Sequence, residues 1–457
     1  MRIPEPFATV SLVVLVGLSL AMSGWLLMGV PGTAPSSDQP FTLEVAEKPN
    51  VDMQSVLGPS RIVLHFGENR HTVVLRGSAD YRTLWGGGLL QRAALGRVSG
   101  PPREVPVNIK AIRSEAGGIE LLYPVKVPVS YLVRLWTGYA WTGGQDFLTD
   151  RVVLSVAGDP AAFAYSCDHE KFFRLDVTPV PKEAAELASH LKYMSGGSHP
   201  RWVQAPAEIN GVAVAEGILL PQSGYAVPAL EVRGEQTDPD AIVQKFFLDR
   251  SVVRRIDERD GAVIYMGGQQ GLRIYPPGAI DYRCLLEPEK APLLDYPTAL
   301  EKALEFVAGH GGLPEGIHPA DLAGRGRGMG LQEVRLSYCW RGYPVWGAEA
   351  PIVVGLSSQG VGLYVRNVRV VLAPVNLSRP MMSPEKALDI LSRHWATVFP
   401  EGVKRSVKDI QIGYWSLPAG ETQDVMKPVW VIESESGLKG FVDAESGAVW
   451  GEERTGP

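Results

Sequence analysis

Residues 8–30 form an unbroken apolar run without a charged side chain, and roughly 425 residues of mixed composition follow it. A helix over those 23 residues, at about 1.5 Å per residue, reaches roughly 35 Å, enough to cross the hydrocarbon core of a bilayer. A cleaved signal peptide would carry a shorter apolar stretch, about 7–15 residues, ending at a small-x-small site. Here Trp25, Leu26, Leu27 and Met28 keep the far end apolar, and no cysteine follows for lipoprotein processing. The run therefore predicts a single uncleaved transmembrane helix. Only Arg2, Glu5 and the amino group precede it. Residues 1–7 are expected to be a short cytoplasmic tail, with the bulk of the chain on the extracytoplasmic side of the cell membrane.

Composition narrows the rest. Forty-four basic residues stand against 50 acidic ones, a net charge of −6 with signs mixed throughout. Neither a nucleic-acid footprint nor a polybasic membrane patch is implied. Cys167, Cys284 and Cys339 are too few for a disulfide framework, and their odd count leaves at least one thiol free. No Cys/His spacing suits zinc, so neither a metal nor a cofactor is expected. Fifty glycines and 36 prolines favour many short elements joined by turns over a helical bundle.

The pattern beyond the anchor is α+β: several antiparallel sheets, each with helices. Residues 31–56 read as a juxtamembrane linker. Residues 61–66 and 71–75 flank a Gly67-Glu68-Asn69 turn as a hairpin. Asp80 is placed to cap a helix through Tyr81 and Trp85. Strands are expected at 118–123, 130–136, 151–157, 163–167 and 172–177, and an amphipathic helix at 181–194. Asp238-Pro239 opens another helix, and strands at 262–266 and 271–275 follow. The last 160 residues or so repeat themselves. Pro297-Thr298-Ala299-Leu300 is echoed by Pro384-Glu385-Lys386-Ala387, 87 residues on, and Pro344-Val345-Trp346 by Pro428-Val429-Trp430, 84 residues on. Each copy reads as a helix followed by an antiparallel sheet. The expected domains are 57–230, 231–375 with the first repeat unit, and 376–457 with the second.

Reactive chemistry is hard to find. Cys167-Asp168-His169-Glu170 is the densest polar cluster, but it falls between two strands as an exposed turn and lacks triad geometry. Ser195-Gly196-Gly197-Ser198-His199 follows a helix and is not the strand-to-helix elbow that a hydrolase serine needs. The glycines and arginines of 324–330 follow no apolar strand and open no helix, so a phosphate cradle is unsupported. His310 and His318 share no helical face. No catalytic residue is assigned, and the chain is not expected to be an enzyme.

Four stretches carry a resemblance: KFFLDRSVVR at 245–254, ERDGAVIY at 258–265, GQQGLRIY at 268–275 and IDY at 280–282. Together with the short anchor and the opening strand PSRIVL at 59–64, they resemble the YycH family of membrane-anchored regulators. The C-terminal double unit is similar to the companion YycI family and, more loosely, to PepSY modules. Gly267-Gly268 departs from the family's form, in which an acidic residue often precedes the glycine. The resemblance implies an accessory protein that touches a WalK-like (YycG) sensor histidine kinase of the cell-wall two-component system of Gram-positive-type bacteria, with a YycI-like single-pass partner. It brings no catalytic residues. Such regulation must act through unequal binding to the kinase's states. Gly17, Ala21 and Gly24 lie close to one helical face and form a candidate packing stripe in lipid. Trp340, Tyr343, Trp346, Trp430 and Trp450 are candidate interface aromatics. The alternatives are a cell-envelope binding module or hydrolase, marked by an acidic pair beside an aromatic cleft, or a PepSY-like peptidase inhibitor.

Overall fold

The computed structural model describes residues 50–454, apart from 99, 139–140, 142–145, 157–159, 197–198, 223–225, 248, 287–292, 326–330, 348–349, 376–380, 399–405 and 417–424. The expected membrane segment, with Gly17, Ala21 and Gly24, lies outside these residues. Among the described residues no helix is long and apolar enough to cross a membrane. What is described is α+β and mostly sheet.

The first sheet has nine strands. In spatial order they are Leu219–Pro221, Trp202–Gln204, His71–Leu75, Arg61–Phe66, Ala116–Pro128, Leu148–Ser155, Ala161–Ser166, Lys171–Leu175 and Arg103–Glu104. The hairpin forms as the alternating residues predict, with Gly67, Glu68 and Asn69 all at positive φ. One face of the sheet buries Ile62, Leu64, Ile119, Leu121, Val152 and Leu154. Helices cover it through Trp85 and Trp136, each with its ring centroid 6.5 Å from that of Tyr123. Removing this much apolar surface from water supplies the main stabilising term, roughly 25 cal/mol per Å².

Two local expectations are corrected. Residues 130–136 are not a strand but lie in the helix Val129–Thr137. Val129, Leu132, Val133 and Trp136 are buried at helical spacing, and that period outweighs the β propensity of valine and tryptophan. Asp146 accepts from the amide of Ser130 (3.0 Å), and Gly138 ends the helix in the left-handed conformation. The cap of the earlier helix is Ser78, whose hydroxyl accepts from the amide of Tyr81 (3.1 Å), not Asp80. The coil widens over Arg82–Gly86 and stops at Gly87, where the glycine run begins.

The repeat is visible in the pairing. Tyr296–Gly309 and Pro384–Val398 are helices. After the first, Pro344 stands opposite Cys339; after the second, Pro428 stands opposite Tyr414, so each triplet pairs antiparallel with the strand before it. The first copy has an additional strand, Ile317–Arg325, ahead of this hairpin. The first helix packs Phe306 against Phe246, Tyr282 and Tyr364. It ends at His310, which stacks on Phe306 at 3.9 Å. The second helix seats Leu391 on Gly440, a position where a Cβ would stand 2.5 Å from the leucine.

The first sheet is fastened to the C-terminal strands through residues distant in sequence. Arg61 holds Asp409 with two hydrogen bonds (2.9 and 3.3 Å). Arg76 donates to the carbonyls of Ser55, Val56 and Ile317. Val212–Val214 crosses over to pair in parallel with Ser406 and Val407. Gly342 completes the tight turn after Trp340 at φ 88° and lies so close to the carbonyl of Arg76 that a side chain would not fit.

Candidate functional site

Two places concentrate side chains beyond what core packing requires. The first is the outer face of the C-terminal sheet, opposite the helix Pro384–Val398. Alternation along Val425–Ser434 sends Trp430 towards the helix, where its indole N–H donates to Met382 O (3.1 Å), and sends Val429 and Val431 outward. Trp415 and Phe441 join these two valines, ring centroids 4.7 Å apart. Trp346 and Trp450, both half-buried, close over the cluster. Trp346 reaches it because its strand leaves the first repeat unit and pairs in parallel with Tyr414 and Trp415 of the second. Its indole lies on Gly413, where a Cβ would meet the ring at 2.8 Å. Lys439 sits over Trp346 (4.6 Å) and Lys427 over Trp450 (5.8 Å).

Trp340 and Tyr343 gather instead around Tyr414, at 5.9 and 6.0 Å, with Arg341 over the Trp340 ring at 4.6 Å. Of the five aromatics singled out in the sequence, Trp346 and Trp450 are therefore half-buried on this face, while Trp340 and Tyr343 are half-buried around Tyr414, which alternation puts on the opposite face from Trp415. Trp430, 2 % exposed, is in the core of its own unit. Trp415 and Phe441 were the members missed. A tryptophan ending an alternating strand is their only sequence signal.

The second place is the outer face of the first sheet, which the short helix Ile109–Ser114 partly covers. Gly118 lets the helix approach, since a side chain there would overlap Ile112 O. Beneath it lies a buried polar cluster. Arg113 Nε donates to Glu120 Oε1 (2.5 Å) and Arg113 Nη2 to Glu120 Oε2 (3.1 Å). His65 Nε2 is 3.1 Å from Glu120 Oε1, and His65 Nδ1 is 2.7 Å from His71 Nδ1. His71 Nε2 is 3.1 Å from Asn69 Oδ1, which also accepts from the amide of Gln204 (3.0 Å). Burial pushes the Glu120 carboxyl up, but hydrogen bonds from His65 and Arg113 and the charges of Arg113 and Arg151 outweigh it and hold it well below the usual range. Burial, with the charge of His65, lowers His71 to about 4.

Beside this cluster opens a groove of about 650 Å³. Tyr165, Phe172, Val107 and Ile109 are among the residues that line it. Its charges are internally matched. Lys110 pairs with Glu216 (3.1 Å), Arg113 is held by Glu120, and Arg151 lies 4.0 Å from Glu120. The sequence offered one cue to the cluster, a pair of histidines flanking the hairpin turn and therefore brought into register.

The other candidates are structural. Residues 167–170 form the expected turn: Asp168 Oδ2 accepts from the amide of Leu148 (2.9 Å), and Glu170 is at positive φ. Burial and the nearby Asp150 push the Cys167 thiol up to about 12. Burial also raises Cys284 and Cys339. At pH 8 the native protein is expected to react with a disulfide reagent far more slowly than the denatured chain, which should release three equivalents. Immediate labelling of Cys167 in the native protein would contradict this. The helix Pro181–Gly196 takes in Ser195 and Gly196, and His199 lies 3.2 Å from Asp80. Gly324 and Arg325 end the strand Ile317–Arg325, and 326–330 lie outside the described residues. Both ring nitrogens of His310 face carbonyls, those of Phe306 and Lys245, while His318 is buried against Pro319 O. Among the described residues, no group of three His, Cys, Asp or Glu side chains is placed to hold a metal ion.

No family model matches the chain, and no curated protein matches it. Among solved structures, the crystal structure of YycH from Bacillus subtilis is similar, with a TM-score of 0.57 and 12% identity. The match covers 85% of this chain and 96% of that one, and it shows a YycH-like fold. A crystal structure of an uncharacterized protein from Eubacterium rectale matches at a TM-score of 0.36 and 12% identity over 55% of this chain and 94% of that one, below the level that indicates a shared fold.

Proposed function

We propose that this chain is a membrane-anchored extracytoplasmic regulator that tunes a sensor histidine kinase of a cell-wall two-component system by contact and not by catalysis. The observation that supports this reading best is the likeness to YycH over 96% of that structure, by a chain whose central stretches resemble the same family in sequence. In this reading residues 8–30 anchor the chain, and Gly17, Ala21 and Gly24 form the stripe that packs against the kinase's membrane helices. Residues 57–230, 231–375 and 376–457 act as extracytoplasmic modules. A YycI-like single-pass protein is the second partner. Trp346 and Trp450 provide the half-buried aromatic surface, rimmed by Lys427 and Lys439, on which it docks, and Trp340 and Tyr343, half-buried around Tyr414, offer a second contact.

The test is co-purification of the full-length chain from membranes with the kinase encoded in the same cell, alongside a reporter for the kinase's output. The wild-type chain should retain the kinase, and Gly17→Leu with Ala21→Leu should weaken retention without lowering the amount of protein. Replacing Trp346 and Trp450 by alanine should leave that retention in place and reduce capture of the second partner by about tenfold or more. Absence of the kinase from the wild-type complex, together with an unchanged reporter on deletion, would end the reading. Clearing of cell-wall material by the purified protein in a zymogram would replace it with a hydrolase.

A further inference from the structure

The hydrogen bonds around His65 and His71 fix how many protons the two rings hold. Asn69 Oδ1 accepts from the backbone amide of Gln204, so the atom facing His71 Nε2 is an acceptor, and His71 Nε2 carries a proton. Glu120 receives Arg113 on both oxygens, so it is a carboxylate and His65 Nε2 also carries a proton. One more proton lies between the two Nδ1 atoms, 2.7 Å apart. The total is three protons on two imidazoles, where two neutral rings carry two.

Gln204, at the far end of this chain of contacts, belongs to a strap that joins the first sheet to the C-terminal sheet. Trp202 pairs with His71, and Gln204 pairs with Leu219. Between those points the chain sends Ala213 and Val214 to pair with Ser406 and Val407. It returns by Gly217, which lies so close to the Arg113 guanidinium that a side chain would overlap it. Glu216 on the strap binds Lys110 on the helix covering the cluster. Several of the strap's attachments to the first sheet thus lie at the histidine pair, at Arg113 and on the helix that covers them.

We propose that His65 and His71 form a proton-counting latch, which holds the strap at residues 204–221 against the first sheet only while the two rings together carry three protons. Removing one proton sets two acceptors face to face at one link. The Glu120 end is fixed by Arg113, with Arg151 4.0 Å beyond. The link that gives is therefore the contact between the rings or the contact to Asn69. Turning the Asn69 amide to suit a deprotonated His71 would point an N–H₂ at the amide of Gln204. Adding a fourth proton sets two N–H groups against each other at 2.7 Å. Burial confines that event to pH near or below about 4. The charged groups facing the pair are Glu120 from the strand Ala116–Pro128, Arg113 from the helix Ile109–Ser114 and, behind Glu120, Arg151 from Leu148–Ser155. No charge of the strap is among those that act on His71.

The test uses the full-length chain in detergent with ¹⁵N-labelled histidine rings, together with hydrogen exchange of the peptide 204–221 across pH. With the strap in place, the two rings together should show three protons, one on each Nε2 and one between the Nδ1 atoms. As the pair loses its third proton, protection of the strap should fall by about fivefold to tenfold relative to the hairpin 263–275. Asn69→Asp keeps both accepted hydrogen bonds and adds negative charge, so it should move that fall to higher pH. Only two protons on the pair at every pH at which the strap is protected would overturn the latch. So would a strap that follows the reference hairpin, or a midpoint that Asn69→Asp leaves in place.

Discussion

Replacing Glu120 by alanine is expected to cost about 3–5 kcal/mol of folding stability, among the largest effects of any single substitution outside the apolar core. Its side chain is 4% exposed and carries the Arg113 guanidinium, 8% exposed, and the His65 ring, 1% exposed. Removing the carboxylate leaves those groups buried without a counter-charge, and that penalty outweighs the hydrogen bonds lost. The partner experiment is the double variant Glu120→Leu with Arg113→Leu. Replacing both members of a buried pair by apolar groups is much less costly than breaking it, so the pair should cost less than Glu120→Ala alone. Urea unfolding followed by tryptophan fluorescence measures both. A loss under about 1 kcal/mol for Glu120→Ala would mean that water enters and solvates the cations.

Acid should destabilise this protein well before its carboxylates are neutralised. Burial, with the charge of His65, lowers His71 to about 4, and burial, with the charge of Arg76, lowers His318 to about 4. His310 is lowered as well, chiefly by burial. In the unfolded chain these rings titrate near the ordinary value of about 6.5. Between about 6.5 and 4 the unfolded state therefore binds more protons than the folded one, and stability falls as pH falls. The contribution of these rings is complete above about 6.5 and is eroded as pH falls through their folded values. A ring held at about 4 in the fold loses roughly 3 kcal/mol once the change is complete. Two such rings lose an amount comparable to the whole stability of an ordinary domain. Glu120, held below its usual range, adds its own loss only at still lower pH. Urea midpoints at pH 7.5, 6, 5 and 4 should fall steadily, and a flat profile across that window would refute the expectation.

The extent to which the sequence disclosed the fold depended on whether the pattern was local. The hairpin at 61–75 was legible because alternation and a glycine turn act within 15 residues. The repeat was legible because two proline-valine-tryptophan triplets occupy the same position in two hairpins. The helix Val129–Thr137 was misread because valine, tyrosine and tryptophan suit both periods, and only its spacing decides. The aromatic surface was half legible. Trp346 and Trp450 could be named, but their convergence on Trp415 and Phe441 depends on a parallel pairing between repeat units that no local pattern encodes. The buried cluster was the least legible part. Glu120 is one acid in the apolar stretch Ile119-Glu120-Leu121, and Arg113 and Gln204 reach it from separate elements.

The clasp between Arg61 and Asp409 spans 348 positions, and the pairing of Ala213 with Ser406 spans 193. A ribosome synthesising this chain has made its opening hairpin long before the residues that receive it exist. At about 5–20 residues per second, tens of seconds pass with that border undocked. Termination ahead of codon 406 would therefore strip a border from a part of the molecule made long before, not merely trim its tail.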